Sequence, residues 1–139
     1  MEYRVFNDTI IARIDRGEEI VACVAKICET EKIKLGWVNA IGAVNKARIG
    51  LFETGSKKYI STEFTGDFEI ASLMGTITEM DGKPYLHLHV TIADSGHKAF
   101  GGHLNEAYVS ATCELRIQVL EGSAGRKFDE EIGLNLIKF

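Results

Sequence analysis

Leu86, Leu88, Val90 and Ile92 alternate with His87, His89 and Thr91, a period of two residues that suits a β-strand and not an α-helix. Such a strand buries its leucine side and holds both imidazoles on the opposite face, roughly 6–7 Å apart along the chain. One metal ion can reach both. His103 is a third candidate ligand, expected to return behind a turn at Gly101-Gly102, where the missing side chains let the backbone bend or approach closely. Three neutral imidazoles with a fourth position open describe a catalytic or exchangeable zinc site, not a closed structural one. His97, between Ser95-Gly96 and Lys98, reads as a turn residue.

Much of the remaining chain shows the same alternation. Glu2 to Ile14, broken at Asn7-Asp8, predicts two short strands. Trp37 to Gly42 and Gly42 to Phe52 predict two more, followed by a polar tip at Gly55 to Lys58 and by strands over Tyr59–Phe64 and Phe68–Met80. Asp81-Gly82 is the signature of a tight hairpin turn leading into the histidine strand. Tyr108 to Leu120 alternates again, with Ala111, Cys113, Leu115, Ile117 and Val119 inward. Lys127 to Ile137 supplies a last, less regular segment. Helical spacing is clear in one place, at Ile20, Val24, Ile27 and Cys28, with Asp15 as the expected cap and an end near Lys32. The expected class is α+β: a largely antiparallel β-sheet packed against one principal helix.

A chain of 139 residues suits a single domain spanning 1–139. No apolar run approaches the roughly 18 residues of a membrane span. The start Met1-Glu-Tyr-Arg-Val-Phe lacks the features of a signal peptide, so a cytoplasmic protein is expected. Sixteen basic against twenty acidic residues give a net charge of −4, which weakens any case for phosphate contacts by this chain alone. Cys23, Cys28 and Cys113 form no CxxC pair and read as buried thiols in a reducing compartment.

The sequence has no Gly-x-Ser-x-Gly elbow, no phosphate-binding glycine loop and no helix-turn-helix or RNA-binding aromatic signature. In a catalytic site, zinc would polarise a substrate oxygen or activate water, with Arg13 and Glu114 as candidate contacts to the metal's ligands or to the substrate.

Arg13-Ile-Asp15, Gly17-Glu18, Gly42-Ala43, Gly66 to Gly75, His87-Leu-His89 and Phe100-Gly-Gly-His-Leu104 together resemble the PPC (plants and prokaryotes conserved) domain, a predicted DNA-binding domain that follows AT-hooks in plant proteins. The resemblance covers nearly the whole chain. It implies an α+β homotrimer, with one zinc ion per subunit held by His87, His89 and His103, as in zinc-containing relatives. This chain has no AT-hook, and Asp67 stands where plant members usually carry a basic residue. The fold is also similar to that of acetolactate decarboxylase, a three-histidine zinc enzyme. Three functions follow as expectations: a DNA-associated protein, a zinc-dependent lyase or hydrolase acting on a small molecule, or a metal-stabilised interaction module.

Overall fold

The computed structural model describes all 139 residues. Strands β1 (Glu2–Phe6) and β2 (Thr9–Asp15) form a hairpin and lead into helix α1 (Ile20–Thr30). Four long strands follow: β3 (Gly36–Glu53), β4 (Lys58–Met80), β5 (Lys83–Ala93) and β6 (Ala99–Val119). A short hairpin of β7 (Gly125–Asp129) and β8 (Leu134–Lys138) ends the chain.

The sheet runs β1-β2-β6-β3-β4-β7-β8, and β5 pairs with both β4 and β6. Strands β3, β4, β5 and β6 therefore close into a ring, which leaves none of their shared edges open to a foreign strand. The pairings are antiparallel except for one parallel contact, Glu79 opposite Gly125, so the sheet is mixed and not uniformly antiparallel. Twenty-six buried residues form the core. Helix α1 turns Ile20, Cys23, Val24, Ile27 and Cys28 into it. No helix is long and apolar enough to cross a membrane.

Several expectations change in detail. The apolar stretches on either side of Gly42 are one bent strand, with register shifts between Ala40 and Gly42 and between Val44 and Lys46. Gly42 has φ 151°, and a Cβ there would lie 2.3 Å from the Thr112 carbonyl, so the bend requires glycine. Tyr59–Phe64 and Phe68–Met80 likewise belong to one strand, β4. Ala111, expected inward, is exposed. The helix is capped by Glu19, whose carboxylate accepts from the amides of Val21 and Ala22 at 2.9 and 2.6 Å. Asp15 ends β2 instead, and there its carboxylate accepts from Arg13 Nε at 2.8 Å. The Asp81-Gly82 turn forms as expected, with φ 53° and 74° at its two central residues.

Gly75 sits on β4 opposite Leu88, where a Cβ would meet the His87 carbonyl at 2.1 Å and the Leu88 Cα at 2.7 Å. Both neighbours are backbone and cannot swing aside. Gly75→Ala is expected to cost about 1–3 kcal/mol by forcing β5 outward, read as a lower midpoint of urea unfolding; an unchanged midpoint would show that β5 yields freely.

Candidate metal centre

The register of β5 sets the site. His89 lies opposite Met74 of β4 on one edge and opposite His103 of β6 on the other, while His87 lies opposite Thr76. Residues directly opposite one another share a face, so the three imidazoles gather on the side of the sheet away from the leucines. Leu88 and Val90 point into the core, as the alternation required.

His103 arrives differently from the sequence expectation. The chain reverses at Asp94 to Lys98, where Asp94 Oδ1 accepts from the amides of Gly96 and Lys98 at 2.9 and 3.0 Å. Gly101 and Gly102 lie inside β6, opposite Thr91 and Val90, and make no turn. A Cβ on Gly102 would lie 2.6 Å from the Gly50 carbonyl, so the glycine lets β6 pass between β5 and β3. His97 holds a left-handed conformation, φ 61°, in the reversal and takes no part in the cluster.

The ligating atoms of His87, His89 and His103 lie within 4.8 Å of one another. The ring centroids are 5.0, 5.3 and 5.7 Å apart. Zinc–nitrogen bonds of about 2.0–2.1 Å place tetrahedral ligands about 3.4 Å apart, a spacing that modest ring rotations reach from here. His87 and His89 face outward and His103 is half-buried.

The cluster forms one end of an open cleft of about 430 Å³. Tyr59 meets His103 edge-on at 6.2 Å and donates its hydroxyl proton to Asn105 Oδ1 at 2.8 Å. The phenol crosses the spot a side chain at Gly50 would need. On the far side the β7–β8 hairpin brings Leu134, Leu136 and Arg126. The Arg126 guanidinium stacks on the Tyr85 ring at 4.5 Å. It donates from Nε to Thr78 Oγ1 at 2.8 Å, from Nη1 to the Asn135 carbonyl at 2.8 Å and from Nη2 to Thr76 Oγ1 at 3.3 Å. Sequence reasoning missed Arg126, Tyr59 and Tyr85. Nothing local marks Arg126, whose partners on β4 lie about fifty residues earlier.

Arg13 and Glu114 are not in this cleft. They face each other across the β2–β6 pairing. Arg13 is held by Asp15 at 2.8 Å and Glu2 at 3.4 Å. Glu114 lines a separate recess with Ile11 and Ile41, on the order of 30 Å of strand beyond His103.

The sequence profile of the Plants and Prokaryotes Conserved (PCC) domain family matches residues 1–121. A solved protein from Bacteroides thetaiotaomicron, proposed to bind DNA, is 30% identical, with a TM-score of 0.97 over 99% of this chain and 96% of its own. A metal-containing protein from Archaeoglobus fulgidus is 34% identical, with a TM-score of 0.90 over 99% and 97%. Acetolactate decarboxylase from Bacillus subtilis shares the fold at 17% identity, with a TM-score of 0.58 over 88% of this chain and 57% of its own. Among curated proteins none matches the chain.

Partial desolvation in the cleft pulls His87 below its ordinary value of 6.5, and the charges of His89 and Arg126 act in the same direction. His103 is lowered by desolvation first and by His87 and His89 next. A lowered histidine binds fewer protons folded than unfolded. The metal-free protein therefore holds this contribution above about 6.5 and loses it as pH falls through the lowered values. Thermal unfolding of metal-free protein is expected to shift downward from pH 7.5 to pH 5, and His103→Gln should shrink that shift. An identical shift in the variant would assign the pH dependence to other groups.

Proposed function

The chain belongs to the Plants and Prokaryotes Conserved domain family, and on that basis we propose that it is a zinc-binding homotrimer of this family, with one ion per subunit and a DNA-associated role. The observation behind the metal is the convergence of His87, His89 and His103, three neutral nitrogen donors without a carboxylate among them. That donor set suits zinc and leaves a position open, where the ion would supply Lewis acidity to a ligand oxygen. The Archaeoglobus relative, described as metal-containing, supports the same reading. The protein's own residues do the rest: the β5–β6 register aims the rings, and Tyr59 walls His103.

Assembly is supported by the outer face of the sheet. Ile11, Trp37, Ile41 and Met74 are 47%, 44%, 58% and 46% exposed. The register puts them on one face: Trp37 and Asn39 of β3 lie opposite Thr76 and Met74, Ile41 opposite Glu114, and Ile11 opposite Arg116. Apolar exposure on this scale marks a surface that meets a partner. A closed ring of three copies covers it and turns Arg13 and Glu114 toward neighbouring subunits. Three buried free cysteines agree with a reducing cytoplasm.

The DNA-associated role rests on the family and on the Bacteroides relative. With a net charge of −4, contact with phosphates falls to local basic groups, so binding should weaken steeply with salt. A second reading, a zinc-dependent enzyme acting on a small molecule, is favoured by the open cleft at the histidines. A metal-stabilised interaction module is a third, and it would leave that cleft without a ligand.

Metal analysis is expected to find one zinc per chain, lost in His89→Ala. Zinc at about a hundred times its dissociation constant should add about 2.7 kcal/mol to stability. In native mass spectrometry, Ile41→Glu is expected to convert trimer to monomer without loss of zinc. Titration of duplex DNA should give an affinity falling linearly on logarithmic axes of salt; no binding at the lowest salt would remove the DNA role and leave the metal.

A further inference from the structure

The cleft holds a cation without an acidic partner. Arg13, Lys46 and Arg48 each face a carboxylate, whereas Arg126 makes no ion pair and no Asp or Glu lines the cleft. Burial pulls the guanidinium's value down, and Tyr85 acts in the opposite direction. A divalent ion on three neutral imidazoles adds two more positive charges to the same space.

We propose that this cleft is a carboxylate-binding site, in which Arg126 receives the carboxylate of a small organic acid and a second oxygen of that acid takes the open position on the metal. The inference rests on the zinc reading above. Its geometry comes from β4 and β5. Thr76 and Thr78 of β4 lie opposite His87 and Tyr85 of β5, and both threonine hydroxyls accept from Arg126. The guanidinium is therefore anchored on the same sheet face as the histidines, next to His87. Three of its five N–H groups are used, by Thr78, Asn135 and Thr76, which leaves one on Nη1 and one on Nη2. Two N–H groups on one planar fork match the two oxygens of a carboxylate. The stack on Tyr85 and the three hydrogen bonds hold that fork still before a ligand arrives, which lowers the entropy lost on binding. Leu134 and Leu136 supply apolar walls for the carbon skeleton, and about 430 Å³ suits a small acid.

The test begins with zinc affinity, measured by chelator competition in the wild type, Arg126→Gln and Arg126→Lys. Malonate, acetate and inorganic phosphate are then titrated calorimetrically into each zinc-loaded protein at matched ionic strength, and a cobalt-loaded sample reports spectroscopically whether the ligand reaches the metal. Malonate should bind the wild type more tightly than acetate or phosphate and change the cobalt spectrum. Arg126→Gln should weaken it about ten- to hundred-fold in protein that still loads with zinc. Arg126→Lys, which keeps the charge and loses the fork, should fall between and covers the case in which Arg126→Gln does not fold. Wild-type malonate affinity in both variants overturns the proposal, as does a site that takes phosphate as well as malonate. Zinc binding without malonate binding overturns the proposal alone; no zinc binding overturns the metal reading with it.

Discussion

Strand β5 is hydrogen-bonded on both edges, and the site depends on that. Its pairing with β4 runs from Lys83 to Ala93, and its pairing with β6 from His89 to Ala93. Each ladder fixes the register of the same strand independently. A slip of one residue would turn Leu88 and Val90 to solvent and drive His87 and His89 into the core. Burial of Leu88, Val90 and Ile92 opposes that slip by about 1.5–3 kcal/mol for each side chain. The positions of the imidazoles are therefore set by the apolar residues between them. His103 gains from the same arrangement, because it is the residue at which β6 exchanges β5 on one edge for β3 on the other.

This explains which parts of the architecture the sequence disclosed. Alternation at Leu86 to Ile92 was sufficient for the strand and for two imidazoles on one face, and Asp81-Gly82 was sufficient for the turn before it. The helix was visible in its spacing, but its cap was not. Glu19 wins over Asp15 because its carboxylate also accepts from the amide of Ala107 on β6, a contact 88 residues away. The same limit hid the long strands. A glycine within an apolar run reads as a break, yet Gly42 and Gly102 mark places where one backbone crosses closely over another and the strand continues. Arg126 was beyond reach for the same reason, since the β7 backbone pairs with β4 at a single position and its hairpin is ordinary by itself.

Charge is distributed unevenly over the molecule. On the ring, Lys46 and Arg48 share Glu63 and Glu106 at 3.0–3.8 Å, and Lys34 faces Glu79 at 3.8 Å. Exposed pairs of this kind contribute little to stability. Their larger effect is to cancel positive potential over the surface. Arg13, Lys34, Lys46 and Arg48 are matched by acids, and the other twelve lysines and arginines make no ion pair.

The cleft is built from two parts of the chain that differ in what the family explains. The histidines fall within residues 1–121, which the family profile matches, whereas Arg126, Leu134 and Leu136 fall beyond them. The three histidines thus belong to the part of the fold that the family profile matches, and the opposite wall, with its fixed cation and its apolar sides, comes from the C-terminal hairpin. That hairpin hangs on β4 by one backbone pair and by the Arg126 side chain. Its turn is also held by Lys57, whose ammonium donates to the Glu130 carbonyl at 2.7 Å. The family profile therefore covers the histidines, and the surface that faces them is set by the hairpin.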